Sequence, residues 1–516
     1  MGVISLDSYT RKTFPSSVRY TPRGEKVPTK FELLALDANP FIYSAVVKVF
    51  EPESILKQHD HLTYDQKVEL VFKYTWNHIC EIVNMIDCNE IFIAFDSVAP
   101  LAKQAQQRTR RYPRSLPGSD EFDTTHISCG TKFMHQLSGY IQFKIQEING
   151  WDKKVVYSAH GGGEGEHVCM DYIRTFPNDA KICMVGPDGD LIMLGLACEQ
   201  DFYLFKTDYA TRDDVDKKMY TIRMKHIKDS LIHPISYKTR LNHNDATKSF
   251  VFLGTFLGND FVPRLEIFDL FINGIDDLYS RYEPIRESII HNNCLDTVVF
   301  SLLLTALARE EKSLLAKRTK HPFPLLEKHL NGDQLDLESF SKEYYTDWVK
   351  ISPDDIETMC FNYLDTIWWC WIYYTTSCPT PLHFYRYHYP PFCRDLAVAI
   401  KKWKIPNFVW SPWRTPFQQL VAILPPNRKD LLPQKYHGFF DGPEFPKIEN
   451  VVKNSQGKNP KFEVVLELPF FTENVQVEHT HKHLRNILIP PRVFIPGDEK
   501  FEVKTKWGKC ITNLKG

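Results

Sequence analysis

The sequence predicts an α/β protein: a mostly parallel sheet with helices on both faces, and a mainly helical, aromatic-rich C-terminal segment packed on it. Three observations carry this reading. Short apolar runs bounded by polar breaks occur at 33–37, 91–96 and 182–188, and each ends in an aspartate, Asp37, Asp96 and Asp188. Runs of that length read as strands buried on both faces of a parallel sheet. Helix-like segments alternate with them, the pattern of βα units. Aromatic residues make up 13% of the chain and concentrate late in it.

Taken in order, residues 1–30 are polar, with Pro15, Pro22 and Pro28, and read as an irregular arm. After the strand ending at Asp37, Asn39 and Pro40 supply an N-cap and a proline at the first helical position. An amphipathic helix follows over 64–86, then a strand over 91–95 and a helix from about Pro100. A loop over 113–130 leads to a helix over 131–145, a strand over 154–158, a helix from Glu164 and a strand over 182–187. The charged stretch 205–248 gives no clear pattern, whereas 248–257 is apolar and runs into Gly258, Asn259 and Asp260. A soft boundary precedes the Lys- and Glu-rich stretch 308–345, so the expected division is 1–300 and 301–516. Residues 354–376 read as a helix carrying Trp368, Trp369, Trp371, Tyr373 and Tyr374, whose plainest role is core packing.

The chain has 516 residues, 43% hydrophobic and 25% charged, as expected for a soluble globular protein of two or more domains or one extended core. Its net charge of -1 leaves room only for a local basic surface. The 12 cysteines show no CxxC pair, which favours free thiols, a reducing compartment and a cytoplasmic location. No apolar leader and no membrane-spanning run is expected.

In open α/β sheets, ligands bind beyond the carboxyl ends of the strands. Asp37, Asp96 and Asp188 are therefore expected at one sheet edge, with Glu164, Glu166, Asp190 and Asp260 close by. A single aspartate at such a place is ordinarily a cap or a solvated loop residue. Seven gathered carboxylates would repel one another and resist ionising. Divalent cations remove that penalty, and two Mg²⁺ ions need about this many oxygen ligands.

Just after Asp96, Lys103, Gln107, Arg110 and Arg111 are spaced to share one helical face. Three cations and an amide beside a metal site suit a phosphate group better than they suit a plain solvated face. Together the two sites point to a metal-dependent nuclease that measures from a phosphorylated end. No P-loop signature is present.

The stretches 96–111 (DSVAPLAKQAQQRTRR), 163–167 (GEGEH), 188–196 (DGDLIMLGL) and 252–261 (FLGTFLGNDF) closely resemble signatures of the XRN family of 5′→3′ exoribonucleases. The resemblance is strong over 31–265. It is weaker over 360–475, where YHYPP at 387–391, PFQQLVAILP at 416–425 and ELPFF at 467–471 resemble the second conserved region, and poor over 266–355. It implies a compact member with a 5′-nuclease/PIN-like core that processively degrades 5′-monophosphorylated single-stranded RNA to nucleoside 5′-monophosphates. It also implies that the seven acids are metal ligands for Mg²⁺, with Mn²⁺ as a substitute, and that Lys103, Gln107, Arg110 and Arg111 form the 5′-phosphate pocket. A monomer that works with decapping or RNA-decay factors, without membrane attachment, is the expected setting.

Departures from the pattern are local. The start resembles the family only in Met1, Gly2 and Val3, and the segment between His160 and Glu164 is one residue shorter and lacks a proline. Tyr43 stands where the family has a histidine that stacks on terminal bases, and Pro381 and His383 fall near the places of two tryptophans. Tyr43 and His383 are accordingly expected to contact substrate. Two other readings compete: a DNA 5′ nuclease of flap-endonuclease type, and a catalytically dead RNA-binding scaffold. The first is disfavoured because Asp260 is not followed by a glycine-rich helix-hairpin-helix, and the second because seven buried acids are costly to keep without metal.

Overall fold

The computed structural model describes residues 6–22, 24–50, 59, 61–113, 121–207, 219–230, 243–268, 271–317, 324–454, 465–470 and 492–494. Its centre is an eight-stranded sheet of β1 (Val18–Thr21), β2 (Val27–Asp37), β3 (Ile86–Ala94), β4 (Lys154–Ser158), β5 (Lys181–Val185), β6 (Asp201–Thr207), β7 (Met219–Arg223) and β8 (Arg492–Phe494), in the order β1-β7-β6-β5-β2-β3-β4-β8. The five inner strands, from β6 across to β4, are parallel. The edge pairings β6–β7, β7–β1 and β4–β8 are antiparallel.

Alternation along β2 explains why both faces are covered. Leu33 and Ala35 join one buried cluster, and Leu34 and Leu36 join the other. A strand buried on both sides must be apolar at every position, which is what the run to Asp37 provides. The second cluster is closed by α2 (Asn39–Phe50), α3 (Tyr64–Met85) and α5 (Lys132–Glu147). The first is closed by α6 (Gly165–Ile173), α7 (Asp190–Ala197), α8 (His243–Gly254) and residues as far along as Trp403. Between α3 and α5 in the chain lies α4 (Leu101–Arg111), the basic helix.

The arm expected over 1–30 is a correction. Among its described residues, Leu6–Thr13 is a helix, α1, and β1 and the start of β2 follow. Leu6, Tyr9 and Thr10 are buried, and Tyr220 donates from its hydroxyl to Asp7. Polar composition hid a helix that is held by tertiary contact. The stretch without a clear pattern, 205–248, contains the end of β6, all of β7 and the start of α8. Met1, Gly2 and Val3 lie outside the described residues.

The C-terminal part is mainly helical. It includes α9 (Phe271–Tyr282), α10 (Thr297–Ala316), α11 (Ile356–Thr375), α12 (Cys393–Ala399) and α13 (Pro416–Ile423). The helix α10 crosses the expected division at 300/301 without a break. The aromatic helix α11 is core, as its plainest reading held: Trp369 and Tyr363 are fully buried. No helix among the described residues is long and apolar enough to cross a membrane.

Candidate metal centre and phosphate pocket

The acids reach one edge because of where their elements stop. Asp37 closes β2, Asp96 follows β3 by two residues, and Asp188 lies in the turn after β5. Glu164 is the N-cap residue of α6 and Glu166 sits in its first turn, while Asp190 opens α7. Asp260 follows a 3₁₀ turn ending at Leu257 and Gly258, whose φ of 81° requires glycine-like freedom.

Asp37, Asp96 and Glu166 offer carboxylate oxygens that all lie within 4.8 Å of one another, so these three could hold a cation. Burial and the neighbouring Asp96 and Asp188 raise the Asp37 carboxyl well above its ordinary range. Burial does the same to Glu166, opposed by Lys103 and reinforced by Glu164 and Asp37. Asp190 is pushed up to about 7, first by burial and then by Asp260. These mutual effects bring the acids of β2, β5, α6, α7 and the 258–260 turn into one electrostatic unit.

The donor set fits a divalent cation. Asp37 Oδ1 is buried with no hydrogen-bond partner, which is costly unless a cation takes it. Gly165 forms the floor of the cradle: a Cβ there would lie 2.7 Å from Asp37 Oδ1 and 3.4 Å from Asp96 Oδ1. The backbone N–H of Gly165 donates to Asp96 Oδ1 at 2.8 Å.

Asn39 was expected as a helix cap, and its side chain works elsewhere. Its Nδ2 donates to Asp96 Oδ2 at 2.5 Å, and its Oδ1 accepts from the Asp96 N–H at 3.1 Å. This two-point clasp joins the ends of β2 and β3.

The four candidate phosphate ligands all lie on α4. Lys103 and Arg111 are buried, and Gln107 and Arg110 are half-buried. Lys103 Nζ donates to Asp260 Oδ2 at 2.9 Å and forms an ion pair with Glu164. Arg110 Nη2 lies 3.4 Å from Asp260 Oδ1, and Arg111 Nη1 lies 3.4 Å from Gln107 Oε1. Burial would lower the Lys103 ammonium, but Asp260, Glu164 and Glu166 hold it well above its ordinary value. Burial would raise Asp260, and Lys103 and Arg110 hold it below its ordinary range instead.

The two candidate base contacts differ. Tyr43 is 41% exposed on α2, six positions beyond Asp37. His383 packs on α11: its Nε2 lies 2.9 Å from Thr366 Oγ1, and its ring centroid lies 5.8 Å from that of Trp369. Burial, helped by Arg386, pushes the His383 imidazole down to about 3, so it stays neutral.

Three residues of the site were not singled out for it by sequence. Tyr373, at the end of α11, donates from its hydroxyl to Glu164 Oε1 at 3.2 Å. Gln419 of α13 accepts from the Ala99 N–H at 2.7 Å and donates to Ser97 O at 3.3 Å, bracing the loop after Asp96. Trp413 lies on Gly162, where a Cβ would come within 2.4 Å of the indole. A YY pair at a helix end and a QQ pair in 416–425 were the available signals.

These observations define an α/β protein with a mostly parallel sheet, acids at the carboxyl edge of that sheet and a basic helix beside them. The chain belongs to the XRN family: residues 1–208 match the family's XRN 5′-3′ exonuclease N-terminus, and residues 327–489 match its Xrn1 helical domain. It is 25% identical to human 5′-3′ exoribonuclease 1 over 597 aligned positions, covering 93% of this chain and 34% of the human protein. It is 21% identical to 5′-3′ exoribonuclease 1 of Schizosaccharomyces pombe, covering 92% of this chain and 48% of that protein. With 5′-3′ exoribonuclease 2 of Arabidopsis thaliana the identity is 22%, over 87% of this chain and 62% of that protein. The chain thus spans about a third to a half of the length of the two exoribonuclease 1 relatives.

Proposed function

We propose that this chain is a processive 5′→3′ exoribonuclease that degrades 5′-monophosphorylated single-stranded RNA to nucleoside 5′-monophosphates. The observation that carries the reading is the double contact of Lys103 with Glu164 and Asp260, which sets the basic face of α4 against the acid edge. Relatives named 5′-3′ exoribonuclease, aligned over most of this chain, support the same activity.

Asp37, Asp96, Glu164, Glu166, Asp188, Asp190 and Asp260 would hold two Mg²⁺ ions, with Mn²⁺ able to substitute. When bound, such ions generate a nucleophile from water and stabilise the attacking and leaving oxygens of a phosphodiester. Lys103, Gln107, Arg110 and Arg111 bind the 5′-phosphate and so fix the cut one nucleotide from the end. Asn39 holds Asp96 in register with Asp37. Tyr43 offers a face on which a base can stack irrespective of its identity, and His383, packed against α11, contributes to the same substrate region. The protein acts as a monomer alongside decapping or RNA-decay factors. A cytoplasmic setting is supported by the eleven free cysteines among the described residues.

One digestion series tests this. RNA bearing a 5′-monophosphate, a 5′-triphosphate or a 5′-hydroxyl, and a DNA flap, are each incubated with the protein and Mg²⁺. Monophosphorylated RNA should disappear fastest, releasing mononucleotides without intermediates. Faster cutting of the flap would favour a structure-specific DNA nuclease, and no cutting of any substrate would favour a scaffold.

A further inference from the structure

The two carboxylate oxygens of Glu164 have different partners. Lys103 pairs with Oε2, and Tyr373 of α11 donates to Oε1 at 3.2 Å. Tyr373 is 2% exposed and comes from a helix 209 positions further along the chain. Its phenol cannot swing away, because its ring lies face to face with His167, at 3.5 Å between centroids and 4° between planes. His167 directly follows Glu166 on α6, so one short helix supplies two acids and the stacking surface. Phe261 and Trp369 close the other sides of the ring, at 5.6 and 4.9 Å. Phe261 follows Asp260, so residues adjoining two separate acid-bearing segments grip this tyrosine.

A carboxylate that must serve a cation is free to rotate unless its second oxygen is fixed, and outer-shell donors commonly fix it. We infer that Tyr373 is a positioning residue. Its hydroxyl locks Glu164 Oε1 and so fixes Oε2, the oxygen that Lys103 pairs with here, toward the acid edge where a divalent cation would share it with that ammonium, and the stack on His167 locks the hydroxyl. The inference rests on the metal-dependent reading above and adds α11 to it: the aromatic helix carries a side chain that orients the acid edge, besides packing the core.

The test is Mn²⁺ binding to the RNA-free protein, followed by the paramagnetic signal of free Mn²⁺. Tyr373→Phe removes one oxygen and keeps the stack. It should weaken Mn²⁺ binding by about 10-fold and raise the Mg²⁺ concentration for half-maximal RNA decay to match. KM for RNA at saturating Mg²⁺ and the melting temperature should not move. His167→Ala keeps the phenol and removes its support, and it should weaken Mn²⁺ binding in the same direction. Mn²⁺ affinity in Tyr373→Phe equal to that of the wild type would overturn the positioning role alone. A wild-type protein that binds no Mn²⁺ would overturn the metal-dependent reading with it.

Discussion

Lys103 and Asp260 meet across 157 positions of sequence, Nζ to Oδ2 at 2.9 Å. The same ammonium pairs with Glu164, so it serves as an internal counter-ion among acids that otherwise repel. Removing one partner of a buried ion pair leaves the other uncompensated, at a cost of about 3 kcal/mol. Lys103→Met should therefore lower the melting temperature in a chelating buffer. Added Mg²⁺ should restore more of the loss than it adds to the wild type. Melting curves with EDTA and with Mg²⁺ decide this, and an unchanged melting temperature in EDTA counts against the counter-ion role.

Gly165→Ala should damage activity more than stability. The new Cβ would sit 2.7 Å from Asp37 Oδ1, closer than real Cβ atoms approach, and would push that oxygen from the cradle. Alanine itself favours the helix by about 1 kcal/mol over glycine. We expect RNA decay to fall by on the order of 100-fold, about 2.7 kcal/mol of transition-state stabilisation, with melting nearly unchanged. Turnover rates and calorimetry on the same preparation separate the two effects.

End selectivity should follow the face of α4. Arg111→Ala removes a buried guanidinium that lies 3.4 Å from Gln107. A charge-assisted contact to phosphate is worth about 1.5–3 kcal/mol. The preference for 5′-monophosphate over 5′-hydroxyl RNA should shrink accordingly, measured as a ratio of kcat/KM. An unaltered ratio places the phosphate elsewhere.

Glu311 predicts a pH effect remote from the acid edge. It is 1% exposed on α10 and accepts from the N–H groups of Cys393 and Arg394, at 2.5 and 3.0 Å. Burial outweighs these donors and pushes its carboxyl up to about 7. A folded-state value above the unfolded one means the folded state holds the proton more tightly. Stability from this group is therefore greatest below about pH 4 and is lost as pH rises from there to about 7. Between pH 5 and 8 the loss is about 2 kcal/mol. Subtracting the denaturant-derived stability of Glu311→Gln from that of the wild type should isolate this slope. A flat difference would mean that the two N–H donors prevail over burial.

Much of this centre was legible because its signals are local. Strand β2 shows itself by unbroken apolarity over 33–36, and Asp37, Asp96 and Asp188 follow from strands that end there. The phase of Lys103, Gln107, Arg110 and Arg111 fixes one helical face without any tertiary knowledge. What could not be read depends on pairs far apart in sequence. Asn39 looks like a cap until Asp96, 57 positions on, claims both ends of its amide. Tyr373 looks like core because it is core, and only its hydroxyl departs from that role. Helix α1 is polar in composition, and its burial comes from contacts such as those with Tyr220 and Asp276.

The brace that Gln419 places on Ser97 and Ala99 has a consequence in time. These partners lie 322 and 320 positions apart, and Leu101 is likewise tied through its N–H to Pro381 O. A ribosome builds the acids well before it builds their brace. Until α13 has emerged and docked, the loop after Asp96 lacks both of its hydrogen bonds to that glutamine. The growing chain thus carries the acids of this edge before it carries the glutamine that braces the loop beside them.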